Sequence, residues 1–265
     1  MNKLNIEQEL DIINKKKNGV SLKNLMEEFK IKSVKTIYDV LKRNGRKKII
    51  PNKSNYVNEN YFENINTEES AYWLGFLYAD GYVRMKNNRS GELKLKLSLR
   101  DKEHIELFKK CLESTHVIKD ITSNVIIDGV NHTSLCSTFS VYNTKLVKDL
   151  FNQGCINNKT FLIKMPNIDE SLTRHFIRGY FDGDGCISLN KGSASVTIAS
   201  NFNFANEIKE ILKYGSVIKQ DNIFILRFYH KDKIGDFYHL LYDNSNIYLN
   251  RKKEIFEKHL NIIKL

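Results

Sequence analysis

Two stretches of the 265-residue chain share one pattern, and whatever the rest forms must accommodate it. Trp73-Leu-Gly-Phe-Leu-Tyr-Ala-Asp-Gly81 is answered by Ile177-Arg-Gly-Tyr-Phe-Asp-Gly-Asp-Gly185. Each is a largely apolar run with small residues four apart: Gly75 and Ala79 in the first, Gly179 and Gly183 in the second. On a helix such pairs share one face, and a face without side chains lets a second backbone approach closely. Both runs end in Asp-Gly. The spacing predicts Asp80 and Asp184 in the last helical turn, with Gly81 and Gly185 as left-handed caps. A carboxylate there faces the negative, carbonyl end of its helix. Two such helices packed side by side bring two misplaced acids together, and a divalent cation is the natural compensation.

The pattern resembles the LAGLIDADG motif of homing endonucleases, in the single-chain form that carries it twice. The matching residues are Gly75, Ala79, Asp80 and Gly81, then Gly179, Asp182, Asp184 and Gly185. Tyr78 departs from the family, which often has an acid there; Asp182 keeps that acid in the second copy. The resemblance covers most of the chain from Glu59 onward. It is densest at the two motifs, at Arg174-His-Phe-Ile-Arg178 and at Ile247-Tyr-Leu-Asn-Arg-Lys252.

The resemblance implies an α+β fold, a pseudo-twofold duplicated αββαββα unit, with halves at 59–165 and 166–265. It implies cleavage of both DNA strands across the minor groove, with Mg²⁺, or Mn²⁺ in its place, held by Asp80 and Asp184. A lysine is expected near each centre, where a half's last strand meets its closing helix. Lys231 fits that place in the second half; Lys145 is the weaker candidate in the first, where Thr144 can occupy the lysine's position. Because the halves differ in sequence, the expected target is a long, asymmetric DNA duplex bound by a monomer. The alternative is a relative that binds DNA or RNA without cutting, an intron maturase or a transcription regulator. Both acids are retained, which favours the nuclease.

Charge points the same way. There are 42 basic against 31 acidic residues, a net charge of +11, and residues 1–50 alone hold 13 basic and 6 acidic side chains. That balance selects a polyanionic partner. Apolar residues in this segment fall at helical spacing: Leu10 and Ile13, then Leu22, Leu25, Met26 and Phe29 after Ser21, then Ile37 and Leu41 after Ser33. Three helices with a short turn at Lys30-Ile31-Lys32 resemble the helix-turn-helix modules of resolvases and transposases. That resemblance implies DNA contacts from Lys35, Thr36, Tyr38 and Lys42, continued by Arg43 and Arg46. Residues 51–58, polar and opened by Pro51, are the expected linker.

After Gly81 the chain alternates cleanly. Leu93, Leu95, Leu97 and Leu99 interleave with Lys94, Lys96 and Arg100, which predicts a sheet with one buried and one basic face. With Arg84 and Lys86 beside them, and Arg227 in the second half, these cations are the candidate DNA-reading set. The four cysteines form no Cys-x-x-Cys pair, so neither a zinc knuckle nor a disulfide framework is indicated. Neither a bilayer-length apolar run nor a signal-peptide core is present, and an intracellular, cytoplasmic protein that engages no membrane is expected. An intein is not expected, since Met1 is no splicing nucleophile and 261–265 lacks a terminal His-Asn.

Overall fold

A computed structural model of the chain describes residues 4–43, 55–86, 90–127, 130–156, 162–190 and 193–260. It divides into two compact units, Met1–Ser54 and Asn55–Leu265. Among the described residues no helix is long and apolar enough to cross a membrane.

The first unit is three short helices, α1 (Ile6–Lys17), α2 (Leu22–Glu28) and α3 (Val34–Arg43). Each starts where a side-chain oxygen meets the otherwise unpaired amides of a first turn. Asn5 and Gln8 form a reciprocal capping box, Ser21 accepts from the Asn24 amide at 3.1 Å, and Ser33 accepts from the Lys35 amide at 3.2 Å. Lys30, in the left-handed region at φ 51°, turns the chain between α2 and α3. Ile12, Leu25, Ile37 and Val40 are fully buried at the centre of the trio.

The second unit runs α4 (Glu68–Asp80), β1 (Gly81–Lys86), β2 (Ser90–Ser98), α5 (Lys102–Cys111), β3 (Lys119–Ile127), β4 (Val130–Tyr142), α6 (Thr144–Asn152). It then repeats that order as α7 (Glu170–Asp184), β5 (Gly185–Asn190), β6 (Ser193–Ser200), α8 (Phe202–Leu212), β7 (Ser216–Gln220), β8 (Ile223–Phe228), α9 (Lys231–Tyr242), and adds α10 (Asn250–Leu260). The result is two antiparallel sheets of matching order, β1-β2-β4-β3 and β5-β6-β8-β7. Leu93, Leu95 and Leu97 are buried as the alternation predicts. The alternation does not extend to Arg100. Strand β2 ends at Ser98, and Leu99–Asp101 form a 3₁₀ turn in which Arg251 Nε holds the Asp101 carboxylate at 3.1 and 3.2 Å. That anchor turns the chain into α5, so Arg100 leaves the sheet.

Helices α4 and α7 lie back to back at the centre. A Cβ built on Gly75 would fall on the Phe176 carbonyl oxygen, one on Gly179 on that of Tyr72, and one on Gly183 on Ala79 Cβ. The small residues therefore permit backbone-on-backbone contact, as the pattern predicts. Their flanks, including Tyr72, Trp73, Phe76, Phe176 and Phe181, are fully buried. At the other end Arg178, wholly buried, donates to the carbonyls of Ile247 (2.7 Å) and Leu241 (2.9 Å) and to Glu68 Oε1 (2.6 Å). Glu68, near the start of α4, also accepts from the Asn246 amide at 2.7 Å, so a paired charge ties the halves together.

The caps correct the sequence expectation. Gly81 (φ −72°, ψ 140°) and Gly185 (φ −82°, ψ 156°) are extended rather than left-handed, because each helix passes directly into a strand. Glycine is needed there for room: a Cβ on Gly81 would lie 2.7 Å from Leu77 O, and one on Gly185 would strike the Phe181 ring.

These contacts predict opposite effects of one substitution at two helix glycines. Gly179→Ala forces the helices apart and lowers the unfolding free energy by about 3 kcal/mol. Gly235→Ala in α9, where the nearest atom to a new Cβ is Leu260 Cδ2 at 3.9 Å, raises it by about 0.5–1 kcal/mol through helix propensity. Urea unfolding of both variants reads the difference.

Candidate active site

The packing of α4 on α7 decides where the two motif acids go. Gly183 sits against Ala79, and its added Cβ would lie 3.5 Å from the Asp80 backbone nitrogen. The residues preceding Asp184 and Asp80 are thus in contact, and the two exposed carboxylates leave the same end of the helix pair. A cavity of about 260 Å³ lies beside Asp184, lined by Tyr78, Ala79, Tyr180 and Ser200 among others.

Asp182, the extra acid of the second motif, has another job. It is only 1% exposed and accepts three hydrogen bonds: from the Leu249 amide at 2.7 Å, Tyr72 Oη at 2.8 Å and Tyr242 Oη at 3.3 Å. A phenol has one proton; since Tyr72 gives it to Asp182, it receives its second bond, 2.8 Å long, from His104 Nε2. Burial raises the Asp182 carboxyl to about 6 against the opposing pull of Lys252. Asp182 therefore joins α4, α7, α9 and the tail, and is enclosed where Asp184 is open.

Lys252 faces the same helix end from below. Its ammonium donates to the carbonyls of Phe181 (2.7 Å) and Gly183 (3.2 Å) in the last turn of α7 and to that of Gly185 (2.6 Å), where β5 begins. Burial lowers it to about 8, while Asp182, Asp80 and Asp184 all favour its charged form. The misplaced-acid problem thus has an internal answer: a cation built into the fold neutralises the carbonyl end of α7 and lies in the field of both motif acids. Sequence reasoning placed Lys252 in the resembling tail but gave it no role. Among Arg251, Lys252 and Lys253 nothing in composition marks the buried one.

The two lysines expected near the centres are placed differently. Thr144 and Lys231 each begin a closing helix, α6 and α9, so they occupy equivalent positions. Lys145, one residue further, is held at 2.8 Å by both Glu63 and Asp149. The acids it meets are those two, not the motif pair. His175 is buried and accepts from Arg178 at 2.8 Å, while His230 and His239 are exposed.

The donor set suits a hard cation. Among the described residues no group of three or more His, Cys, Asp or Glu side chains forms a cage. Two open carboxylates, with substrate phosphates and water supplying the remaining oxygens, match the way Mg²⁺ is usually held.

Comparison with known proteins fits this geometry. Residues 171–223, from α7 to the start of β8, match the family model of the LAGLIDADG-like domain. The structure of the homing endonuclease I-WcaI bound to its DNA recognition sequence aligns with a TM-score of 0.51 at 14% identity, covering 76% of this chain and 91% of that one. The chain has the duplicated LAGLIDADG fold. Meganuclease I-SmaMI bound to uncleavable DNA aligns at 12% identity with a TM-score of 0.49, over 72% of this chain and 89% of that one. In sequence, the chain is 23% identical over 185 residues to the replication factor C small subunit of Methanocaldococcus jannaschii, 68% of this chain but only 9% of that protein's length.

On this LAGLIDADG fold the helices cover one face of each sheet. The opposite face of the first sheet carries Arg84 and Lys86 on β1 and Lys94 and Lys96 on β2, as the alternation predicts. It also carries Lys119 on β3, which shares a register position with Thr138 and Lys96 and which sequence reasoning missed because β3 shows no alternation. Arg227 lies on the open face of the second sheet, between Thr197 and Ser216. In the first unit Lys35 and Tyr38 are exposed on α3 and Thr36 is half-buried. The side chains of Lys42 and Arg43, and all of Arg46, lie outside the described residues.

Two outcomes follow from the buried network. Lys252→Met strips a cation from three carbonyls and from Asp182, and urea unfolding should show a loss of about 3 kcal/mol; adding Asp182→Asn in the same chain recovers part of it. His104, drawn down to about 4 by burial, binds its proton more weakly folded than unfolded. Its contribution to stability is full above its ordinary value near 6.5 and disappears as pH falls toward 4. The loss of thermal stability as pH falls through that window should be shallower in His104→Gln than in the native chain, with His175, also lowered to about 4 by burial, contributing the remainder.

Proposed function

We propose that this protein is a site-specific double-strand DNA endonuclease of the homing type, dependent on a divalent metal. The observation that carries the reading is the meeting of the two Asp-Gly helix ends at Gly183 and Ala79, with an exposed aspartate from each half following that contact.

Cutting a duplex requires two phosphodiester hydrolyses on opposed strands, and a pseudo-twofold site with one acid per half is suited to that task. Asp80 and Asp184 hold the cation, Mg²⁺ with Mn²⁺ as a substitute. When bound, it supplies charge stabilisation to the phosphate oxygens and lowers the cost of deprotonating the attacking water. The chain's own residues fix the acids: Lys252 pins the end of α7, and Asp182 anchors that helix to α4, α9 and the tail. Lys231, exposed at the start of α9, assists at the second centre; in the first half Lys145 is the nearest counterpart in sequence. The open sheet faces bind the major groove, with Arg84, Lys86, Lys94, Lys96 and Arg227 meeting phosphates and base edges. Arg100, displaced from the sheet and exposed, contacts backbone outside that array. The three-helix unit adds a second DNA contact through α3, with Lys35 and Tyr38 exposed, Thr36 half-buried beside them, and Lys42, Arg43 and Arg46 following in sequence. The protein works as an intracellular monomer on a long asymmetric site.

The test is incubation of the full chain with a pooled duplex library in Mg²⁺, with EDTA as control, followed by sequencing of the ends. Discrete cuts on both strands are expected, and Asp80→Asn or Asp184→Asn should each reduce the rate by about a hundredfold or more. Retention of DNA without any cut would instead identify a binding protein on this scaffold. Cutting at the native rate by either variant would remove the acids from the mechanism.

A further inference from the structure

The two open sheet faces are equivalent in register but not in chemistry. Gly81 pairs with Leu95 and Gly185 with Ile198, which aligns the halves residue by residue. On that alignment Arg84 corresponds to Ser188, Lys86 to Asn190 and Lys94 to Thr197. Lys96 and Thr138 pair as Ala199 and Ile225 do, and Lys119 corresponds to Ile218. Every cation of the first face thus has a neutral counterpart in the second. Among the described residues one exchange runs in the other direction, putting Arg227 at the position of Ser140.

What replaces the cations is short hydroxyls, one amide residue and aliphatic groups. Ser188, Ser195 and Thr197 form one block; Ala199, Ile225 and Ile218 form a row across the neighbouring strands. Ile218 is 41% exposed, a large aliphatic side chain left on an open face. Ala199 also lines the cavity beside Asp184, so the row begins close to that acid.

Major-groove chemistry distinguishes the two faces. Arginine and lysine suit phosphates and the O6 and N7 acceptors of guanine, whereas apolar side chains suit the thymine methyl and small hydroxyls accept either base. Resting on the DNA-cleaving reading above, we infer that the target is asymmetric in composition as well as sequence. The half-site under the second sheet is A·T-rich, read by thymine methyls against Ala199, Ile225 and Ile218. The half-site under the first sheet holds the guanines and supplies most of the salt-dependent grip.

Selection of duplexes by the full chain in EDTA, followed by binding measurements on the selected site, tests this. One half-site should emerge A·T-rich. Replacing its thymines by uracil should weaken binding by about fourfold per contacted methyl, the effect of one buried methyl group, while the same exchange in the other half-site changes little. Ile218→Ser with Ile225→Ser, one at an exposed and one at a half-buried position and both checked by thermal unfolding, should abolish the uracil effect. Lys94→Gln, Lys96→Gln and Lys119→Gln should each lower the slope of log affinity against log salt by about 0.9. Two half-sites of like composition, a uracil penalty that survives the isoleucine changes, or an unchanged salt slope would overturn the inference while leaving the DNA-binding reading intact. Retention of no duplex at all would overturn that reading and this inference with it.

Discussion

Contact between two bare helix faces organises the larger unit. Because Gly75, Gly179 and Gly183 carry no side chain, α4 and α7 touch through backbone atoms, with the Phe176 and Tyr72 carbonyls in the places that side chains would take. So close a contact leaves little freedom in register or rotation. Once the helices are seated, the position of each strand β1 and β5, and of the acid just before it, follows without a further choice. The charged links sit at the two ends. Arg178 and Glu68 tie one end of the pair, while Asp182 and Lys252 hold the other.

The pseudo-symmetry of that arrangement is geometric, and its electrostatics are not symmetric. At the end of α4 the Leu77 carbonyl meets the Gly81 amide and, at 3.7 Å, Cys155 Sγ, and Tyr78 donates to the Gln153 carbonyl at 2.6 Å. At the end of α7 the Phe181 carbonyl likewise meets the Gly185 amide, but its second donor is the Lys252 ammonium at 2.7 Å, with the Asp182 carboxylate buried one residue further on. One helix end is closed by neutral groups and the other by charge, although both present an aspartate. The same inequality recurs on the sheets, where a face carrying five cations is matched by one that carries Arg227. A chain carrying two copies of a unit can let each copy drift to its own chemistry while the contact between them stays fixed.

Much of this was legible in the sequence, for identifiable reasons. Helix pairing was readable because small residues four apart have few other uses, and the first sheet because Leu93, Leu95 and Leu97 alternate with lysines. Ser21 and Ser33 marked helix starts because a capping oxygen must stand immediately before the first turn. What escaped were features fixed by tertiary contact. The extended caps at Gly81 and Gly185 depend on the strand that follows and on the Leu77 and Phe181 side chains. Arg100 left the sheet because Arg251, distant in sequence, captures Asp101. Lys252 is one of three consecutive cations, and only the fold selects it for burial. Lys119 needed strand register, which no local pattern supplies.

The central claim is that the carboxylates of Asp80 and Asp184 jointly hold the metal at the end of the helix pair. Anomalous scattering from crystals of the full chain grown with Mn²⁺ and a selected duplex measures this directly. Manganese peaks are expected within about 2.2 Å of carboxylate oxygens from both aspartates. Peaks bound elsewhere, or a metal served by only one of the two acids, would contradict it.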